Sequence, residues 1–200
     1  ITASRPVVSA RKNLLTKTED FADAAWGKYE ASFLNGQMVE SSSVAVQHRI
    51  TQTSIGSAQP GTKFTLRCKF KSGAGSRNIG LRIAGASGSI MAVFNAITGV
   101  RATTITTGAL WTLDTVPADA VLGSDGYFIA SVSVVAGEAA APGAWINLLN
   151  GTAYTYDGDG VSSVYINQAQ LEYGPVTTRY QRVNTATDYD TDGFARYLKF

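Results

Sequence analysis

The stretch G-D-G-V-S-S-V-Y-I-N-Q-A-Q-L-E-Y-G-P-V-T-T-R-Y, Gly158 to Tyr180, decides the fold class. It opens on a Gly-Asp-Gly turn and then alternates. Val164, Ile166 and the Ala169 to Leu171 run mark one face, while Tyr165, Asn167, Gln170 and Glu172 mark the other. The phase switches around Gln168-Ala169, which suits a β-bulge, where one extra residue re-aims the strand. Gly174-Pro175 ends the strand, because proline gives no ladder donor and glycine tolerates the turn. A patterned strand this near the end of the chain must pair with something earlier. It reads as the closing strand of an all-β sandwich.

Partners for it lie upstream. Lys63 to Lys71 alternates most cleanly: Phe64, Leu66, Cys68 and Phe70 face one way, and Lys63, Thr65, Arg67, Lys69 and Lys71 the other. That is a half-buried antiparallel strand with a solvated basic face. Further strands are expected at Asn13 to Thr16, Lys28 to Leu34, Val44 to Ser54, Ile79 to Ile83, Gly88 to Asn95, Arg101 to Thr107, Trp111 to Val116, Tyr127 to Val135 and Ala144 to Asn150. Asn35-Gly36, Asp125-Gly126 and Asn150-Gly151 supply turn signals. Thr18 to Trp26 reads as a turn or a single helical turn. The count is about nine to eleven strands, as a sandwich requires. Ile1 to Lys12 reads as an incoming linker, 13–183 as the sandwich, and 184–200 as an outgoing connector whose A-R-Y-L-K-F resembles the start of another β module.

Bulk numbers agree with this. The 200 residues suffice for one sandwich with a full core. Charged residues are 16%, against an average near 25%. A net charge of +2 without a Lys/Arg cluster gives no argument for nucleic acid. No apolar run approaches the ~18 residues of a membrane span, and no stretch reads as a signal peptide. The absent initiator Met and the ending in R-Y-L-K-F suggest a segment of a longer protein. The single cysteine, Cys68, is in phase with Phe64, Leu66 and Phe70 and reads as a buried thiol.

Catalytic signatures are missing. The one histidine, His48, is in phase with Val44, Val46 and Ile50 and reads as structural. There is no G-x-S-x-G elbow, no H-E-x-x-H pair and no phosphate-cradling glycine loop. Paired carboxylates could hydrolyse glycosides, but nothing in the sequence brings two of Glu30, Glu40, Glu138 and Glu172 together. D-x-D-x-D-G at Asp188 to Gly193 resembles the start of an EF-hand loop, yet the ligating glutamate position is Lys199, so the run reads as a solvated acidic turn. The D-G-D-G turn at Asp157 to Gly160 reads as backbone chemistry.

Three segments together carry a resemblance: N-L-L-T-K-T-E-D-F-A-D-A-A-W (Asn13 to Trp26), D-G-Y-F-I-A-S-V-S-V (Asp125 to Val134), and Y-D-G-D-G followed by Y-I-N-Q-A-Q-L-E-Y-G-P-V-T-T-R-Y. They resemble a jelly-roll module of bacteriophage and prophage virion proteins (tail fibres, tailspikes, head fibres or spikes) that is similar to carbohydrate-binding modules. The resemblance implies an antiparallel jelly-roll β-sandwich on a virion surface, non-catalytic, binding host-surface polysaccharide. It also implies contact with other virion proteins and a homo-oligomer, a trimer being favoured. The alternative is a purely structural particle protein that trimerises, decorates or links without binding sugar. Related modules often hold a structural calcium near their first and last strands, and the resemblance places Glu19, Asp20 and Glu172 there. For glycan contact, sugar C–H faces stack on aromatic rings while amides satisfy hydroxyls. The expected site is the polar-aromatic set Tyr154, Tyr156, Tyr165, Asn167 and Gln170, with Trp145. Trp26 and Trp111 read as core.

Overall fold

The computed structural model describes residues 13–185. They form thirteen strands: β1 (Gly27–Tyr29), β2 (Ala31–Leu34), β3 (Gln37–Glu40), β4 (His48–Gln52), β5 (Lys63–Ser72), β6 (Asn78–Ala84), β7 (Gly88–Asn95), β8 (Arg101–Gly108), β9 (Trp111–Leu113), β10 (Val121–Leu122), β11 (Phe128–Ala136), β12 (Gly143–Leu149) and β13 (Ser163–Tyr173). The first sheet has the order β1-β4-β12-β6-β7-β8. The second has the order β10-β11-β5-β13-β3-β2, with β9 also beside β11. Every pairing is antiparallel, and the two sheets pack face to face as a β-sandwich.

Strand alternation builds the core. Register lines up Ile50, Ile146, Leu81 and Ala92 across β4, β12, β6 and β7, all buried on the inner face of the first sheet. Opposite them, Phe64, Leu66, Cys68 and Phe70 are wholly buried, so the phase expected for β5 holds. Val164, Ile166, Ala169 and Leu171 join them from β13. They share one face only because the register shifts between Asn167 and Gln170. Gln168 sits there at φ 52°, its N–H bonded to the Asn167 side chain. The bulge is therefore where the phase switch put it.

The first residues depart from expectation. Asn13 to Thr16 is not a strand; it lies beside the bulge as a side-chain plug. Asn13 Nδ2 donates to Ala169 O and Gln181 O, and its Oδ1 accepts the Leu171 and Leu15 N–H groups. Thr18 to Trp26 is a run of turns without a helix. Lys28 to Leu34 is two strands in different sheets, because Glu30 at φ 47° turns the chain out of one and into the other. Asn35 (φ 51°) and Gly36 (φ 80°) then make a two-residue type I′ turn, which pairs β2 with β3, a strand the pattern did not single out. Val44 to Gln47 stays outside the ladder except for one bridge from Val46 to Tyr156.

The basic face of β5 is only partly solvated. Residues 174–183 return over this outer face, so Thr65 is buried and Arg67 lies under the Tyr180 ring at 5.8 Å. Val183 is buried and its carbonyl accepts the Thr18 N–H, tying both ends of the described chain together. The linker 1–12, the D-Y-D-T-D-G turn and the A-R-Y-L-K-F ending fall outside the described residues.

Candidate functional site

The structure distributes the six expected glycan contacts over three places. Tyr165 and Asn167 stand on the outer face of the second sheet, where the Lys71 ammonium lies 4.8 Å from the Tyr165 ring and 5.0 Å from that of Tyr127. Gln170, expected on the same open face, is wholly buried: its Oε1 accepts the Gln181 N–H at 2.7 Å, and its Nε2 donates to Thr178 and Arg179 carbonyls under the returning segment. Tyr156 is buried as well, its hydroxyl donating to Glu40 at 2.7 Å. Both side chains are buried and hydrogen-bonded within the chain. The remaining two, Trp145 and Tyr154, lie on the outer side of the first sheet.

Tyr156 belongs to a lock that joins two loops to the end of β3. The Glu40 carboxylate, at the end of β3 and 2% exposed, accepts both Arg77 Nε and Nη2 at 2.7 Å, the Tyr156 hydroxyl, and the Asp159 N–H at 2.8 Å. Hydrogen bonding to Glu40 raises the Arg77 pKa, and burial followed by Glu40 raises that of Tyr156. Asp159 accepts the Ser162 hydroxyl and the Ser162 and Val161 N–H groups, which hold its carboxyl well below the usual range. The D-G-D-G turn is thus structural, as read. His48 is buried beside the Tyr156 ring, with Nδ1 2.6 Å from Glu30 O, a structural position too.

The carboxylates expected to hold calcium are not gathered. Glu19 pairs with Arg182 at 3.2 Å. Glu172 is buried and accepts the Thr178 N–H and hydroxyl, each at 2.6 Å. A cavity of ≈ 280 Å³ is lined by Glu19 and Asp20 together with the cations Lys17 and Arg182, and Glu172 does not reach it. Among the described residues no group of three or more His, Cys, Asp or Glu side chains could hold a metal ion.

The outer face of the first sheet carries the most organised constellation. On β12, Ala144, Ile146 and Leu148 enter the core, so Trp145 and Asn147 point outward. Arg82 is the direct cross-strand partner of Trp145 on β6, and Arg49 is that of Asn147 on β4. The Arg82 guanidinium lies 4.3 Å from the Trp145 ring and the Arg49 guanidinium 4.6 Å from it, the two coming from strands on opposite sides. Arg49 also stacks on Tyr29 of β1 at 4.4 Å. Arg82 Nε donates to Ser89 Oγ on β7, which lies 2.7 Å from Thr107 Oγ1 on β8. One row of side chains therefore crosses all six strands: Tyr29, Arg49, Trp145, Arg82, Ser89, Thr107. Tyr154 closes its far side, lining a small hollow with Arg82 and Met91.

Its electrostatics are one-signed. The six strands of this sheet contain Lys28, Arg49, Arg82 and Arg101 and no Asp or Glu. Burial lowers the pKa of both Arg49 and Arg82, and for Arg82 the charge of Arg49 adds to it. Such a face offers planar cations, aromatic edges and amide groups, which suit hydroxyls and acid groups of a ligand. Arg49 and Arg82 went unnoticed in the sequence. Their only signal is a lone cation between inward-facing residues, His48 and Ile50 around one, Leu81 and Ile83 around the other.

Fold and face together define a β-sandwich with a cationic, aromatic outer surface. No protein-family model and no curated protein matches the chain.

Proposed function

We propose that this chain is a non-catalytic fibre or spike module of a phage-like particle, exposed on the virion surface, that binds host-surface polysaccharide through the outer face of the first sheet. The observation that carries this reading is the Tyr29-Arg49-Trp145-Arg82 row, an ordered array of rings and half-buried guanidinium groups on the outer sheet face. Strand interleaving supports the jelly-roll part of the reading: β3-β13-β5-β11 on one side and β4-β12-β6-β7 on the other is the order two nested Greek keys give. Two of the four candidate carboxylates, Glu30 and Glu138, support a non-catalytic role. A glycoside general acid needs a raised pKa. Here the Ser43 and Ser41 hydroxyls hold Glu30 below its ordinary value, and the Trp111 indole N–H holds Glu138 below its own.

The test is a bacterial polysaccharide array probed with the chain. Retention on at least one polysaccharide, at the weak single-site affinity of about 10 μM to 1 mM, is the expected result. No retention of a well-folded chain at millimolar concentration would overturn the reading. A purely structural role is favoured by a different observation: Ile97, Val100, Val121 and Leu122 are at least half exposed. The backbone bond from Ala120 to Gly99 brings their segments together.

A further inference from the structure

We propose that the polysaccharide taken by the first sheet is acidic, its anionic group received by Arg49 and Arg82 on either side of Trp145. The inference rests on the glycan-binding reading above and narrows it to a chemical class.

Arg49 and Arg82 carry charge without a counter-charge. Three half-buried cations have an acid: Lys17 has Asp23, Lys69 has Asp125, and Arg77 has Glu40 and Asp159, while among the described residues Arg67 and Lys71 on the second sheet make no ion pair and lie against tyrosine rings. Arg49 and Arg82 have no such acid among the described residues, and the strands beneath them carry no acid at all. Their neighbours are neutral. Arg49 Nη1 donates to Gln47 Oε1 at 2.6 Å and Arg82 Nε to Ser89 Oγ at 2.7 Å. Two guanidiniums held against one indole repel each other, and burial strips part of their hydration. An anion against these guanidiniums offsets both penalties and gains charge-assisted bonds in the forked geometry that arginine offers to carboxylate or phosphate.

Independently of charge, Asn147 is wholly buried, stands on the same outward face between Arg49 and Gly80, and makes no hydrogen bond from either Oδ1 or Nδ2. Arg49 Nε on the neighbouring strand is likewise buried and unpartnered, as is Trp145 Nε1 further along β12 over Gly143. Unpaired buried polar groups are costly, and one sheet face that gathers three unpartnered donors and an acceptor is built to receive oxygen atoms. An acid group on a sugar brings such oxygens, with ring hydroxyls to serve Asn147. The side chains above it must shift for the ligand to enter, which arginines on flexible stems allow.

The experiment measures binding of the whole chain to polygalacturonate, to its fully methyl-esterified form and to poly(glycerol phosphate), by calorimetry at low salt. Methyl esterification keeps the sugar and removes the charge. Polygalacturonate should bind at least about tenfold tighter than the ester, and binding should weaken as salt rises. Arg49→Gln and Arg82→Gln should each lower affinity about tenfold, while Lys71→Gln on the opposite sheet should leave it unchanged. Arg82→Lys, which keeps charge but loses the fork, should fall between. Tight binding of the phosphate polymer in place of the uronate, with the same arginine dependence, identifies phosphate as the acid group and supports the proposal equally. Equal binding of acid and ester, equal binding by the arginine variants, or loss in Lys71→Gln as large as theirs would overturn it. If neutral polysaccharides on the array bind and these acidic polymers do not, the charge inference fails and glycan binding stands. If no polysaccharide of either kind binds, both fail. Thermal melts of each variant exclude unfolding as the cause of a loss.

Discussion

Glu40 illustrates how much one buried side chain can decide. Both of its oxygens are filled by groups from the β5–β6 and β12–β13 loops, so it fixes those loops against the end of β3. Glu40→Ala would leave the Arg77 charge beneath Tyr156 with only the exposed Asp159 to answer it. Losing one partner of such a buried pair costs about 3–5 kcal/mol, and urea unfolding should report a loss in that range. Cys68 makes a second case at this scale. Burial pushes its thiol up from 9.0 to about 12. Being raised in the folded state, this group contributes stability that is intact below pH 9.0 and is lost as pH climbs towards about 12, because the unfolded chain ionises first. Cys68→Ala should therefore flatten the alkaline loss of stability measured by urea midpoints from pH 8 to pH 11. An unchanged slope would mean that Tyr156 and Tyr180, whose pKa values burial also raises, account for all of it.

At the level of elements, β5 carries the sharpest expectation. Phe70 is wholly buried and its ring centroid lies 5.7 Å from that of Phe128 and 6.1 Å from that of Phe94, so it bridges the two sheets. Phe70→Ala should cost ~3–5 kcal/mol; a loss below about 1 kcal/mol would contradict the burial phase. Strands β5 and β11 were legible because alternation over nine or more residues leaves one consistent reading, and β13 because its alternation resumes after the bulge. Short elements were not. Lys28 to Leu34 alternates without a break, yet Glu30 at φ 47° divides it between sheets, a backbone choice that no side-chain pattern announces. Asn13 to Thr16 resembles a strand because Leu15 is buried, whereas its backbone is held by Asn13 against the bulge. The candidate site was less legible still. Trp145 and Tyr154 were found by residue type, but their neighbours Arg49 and Arg82 depend on cross-strand register, which sets who faces whom and is absent from local sequence. Gln170 fits an open face by phase alone; the returning segment 174–183 covers it.

For the whole molecule, the two outer faces are unlike. Part of the second sheet lies under residues 174–183, while the first sheet carries a half-buried cationic row on its outer face. The rim between them, where the β7–β8 turn meets β10, exposes Ile97 (57%), Val100 (50%), Val121 (68%) and Leu122 (61%). Beside it runs β8, an eight-residue edge strand without proline or acid, the kind of edge that invites another chain. We expect sedimentation equilibrium at micromolar concentration to show an oligomer, a trimer being favoured. Val121→Asp combined with Leu122→Asp should weaken it without altering the melt, since both side chains are already solvent-exposed. A monomer throughout would contradict this. Several copies in one assembly would raise avidity for a repeating polymer with no new contact at any single site.

The most direct test of the central claim compares faces. The chain is measured against whichever polysaccharide the array retains, as wild type, as Trp145→Ala with Tyr154→Ala on the first sheet, and as Tyr165→Ala on the second, each confirmed folded by thermal melt. The account predicts that the first-sheet variant loses at least about tenfold in affinity while Tyr165→Ala binds as wild type. Undiminished binding by the first-sheet variant, or a loss confined to Tyr165→Ala, would contradict it.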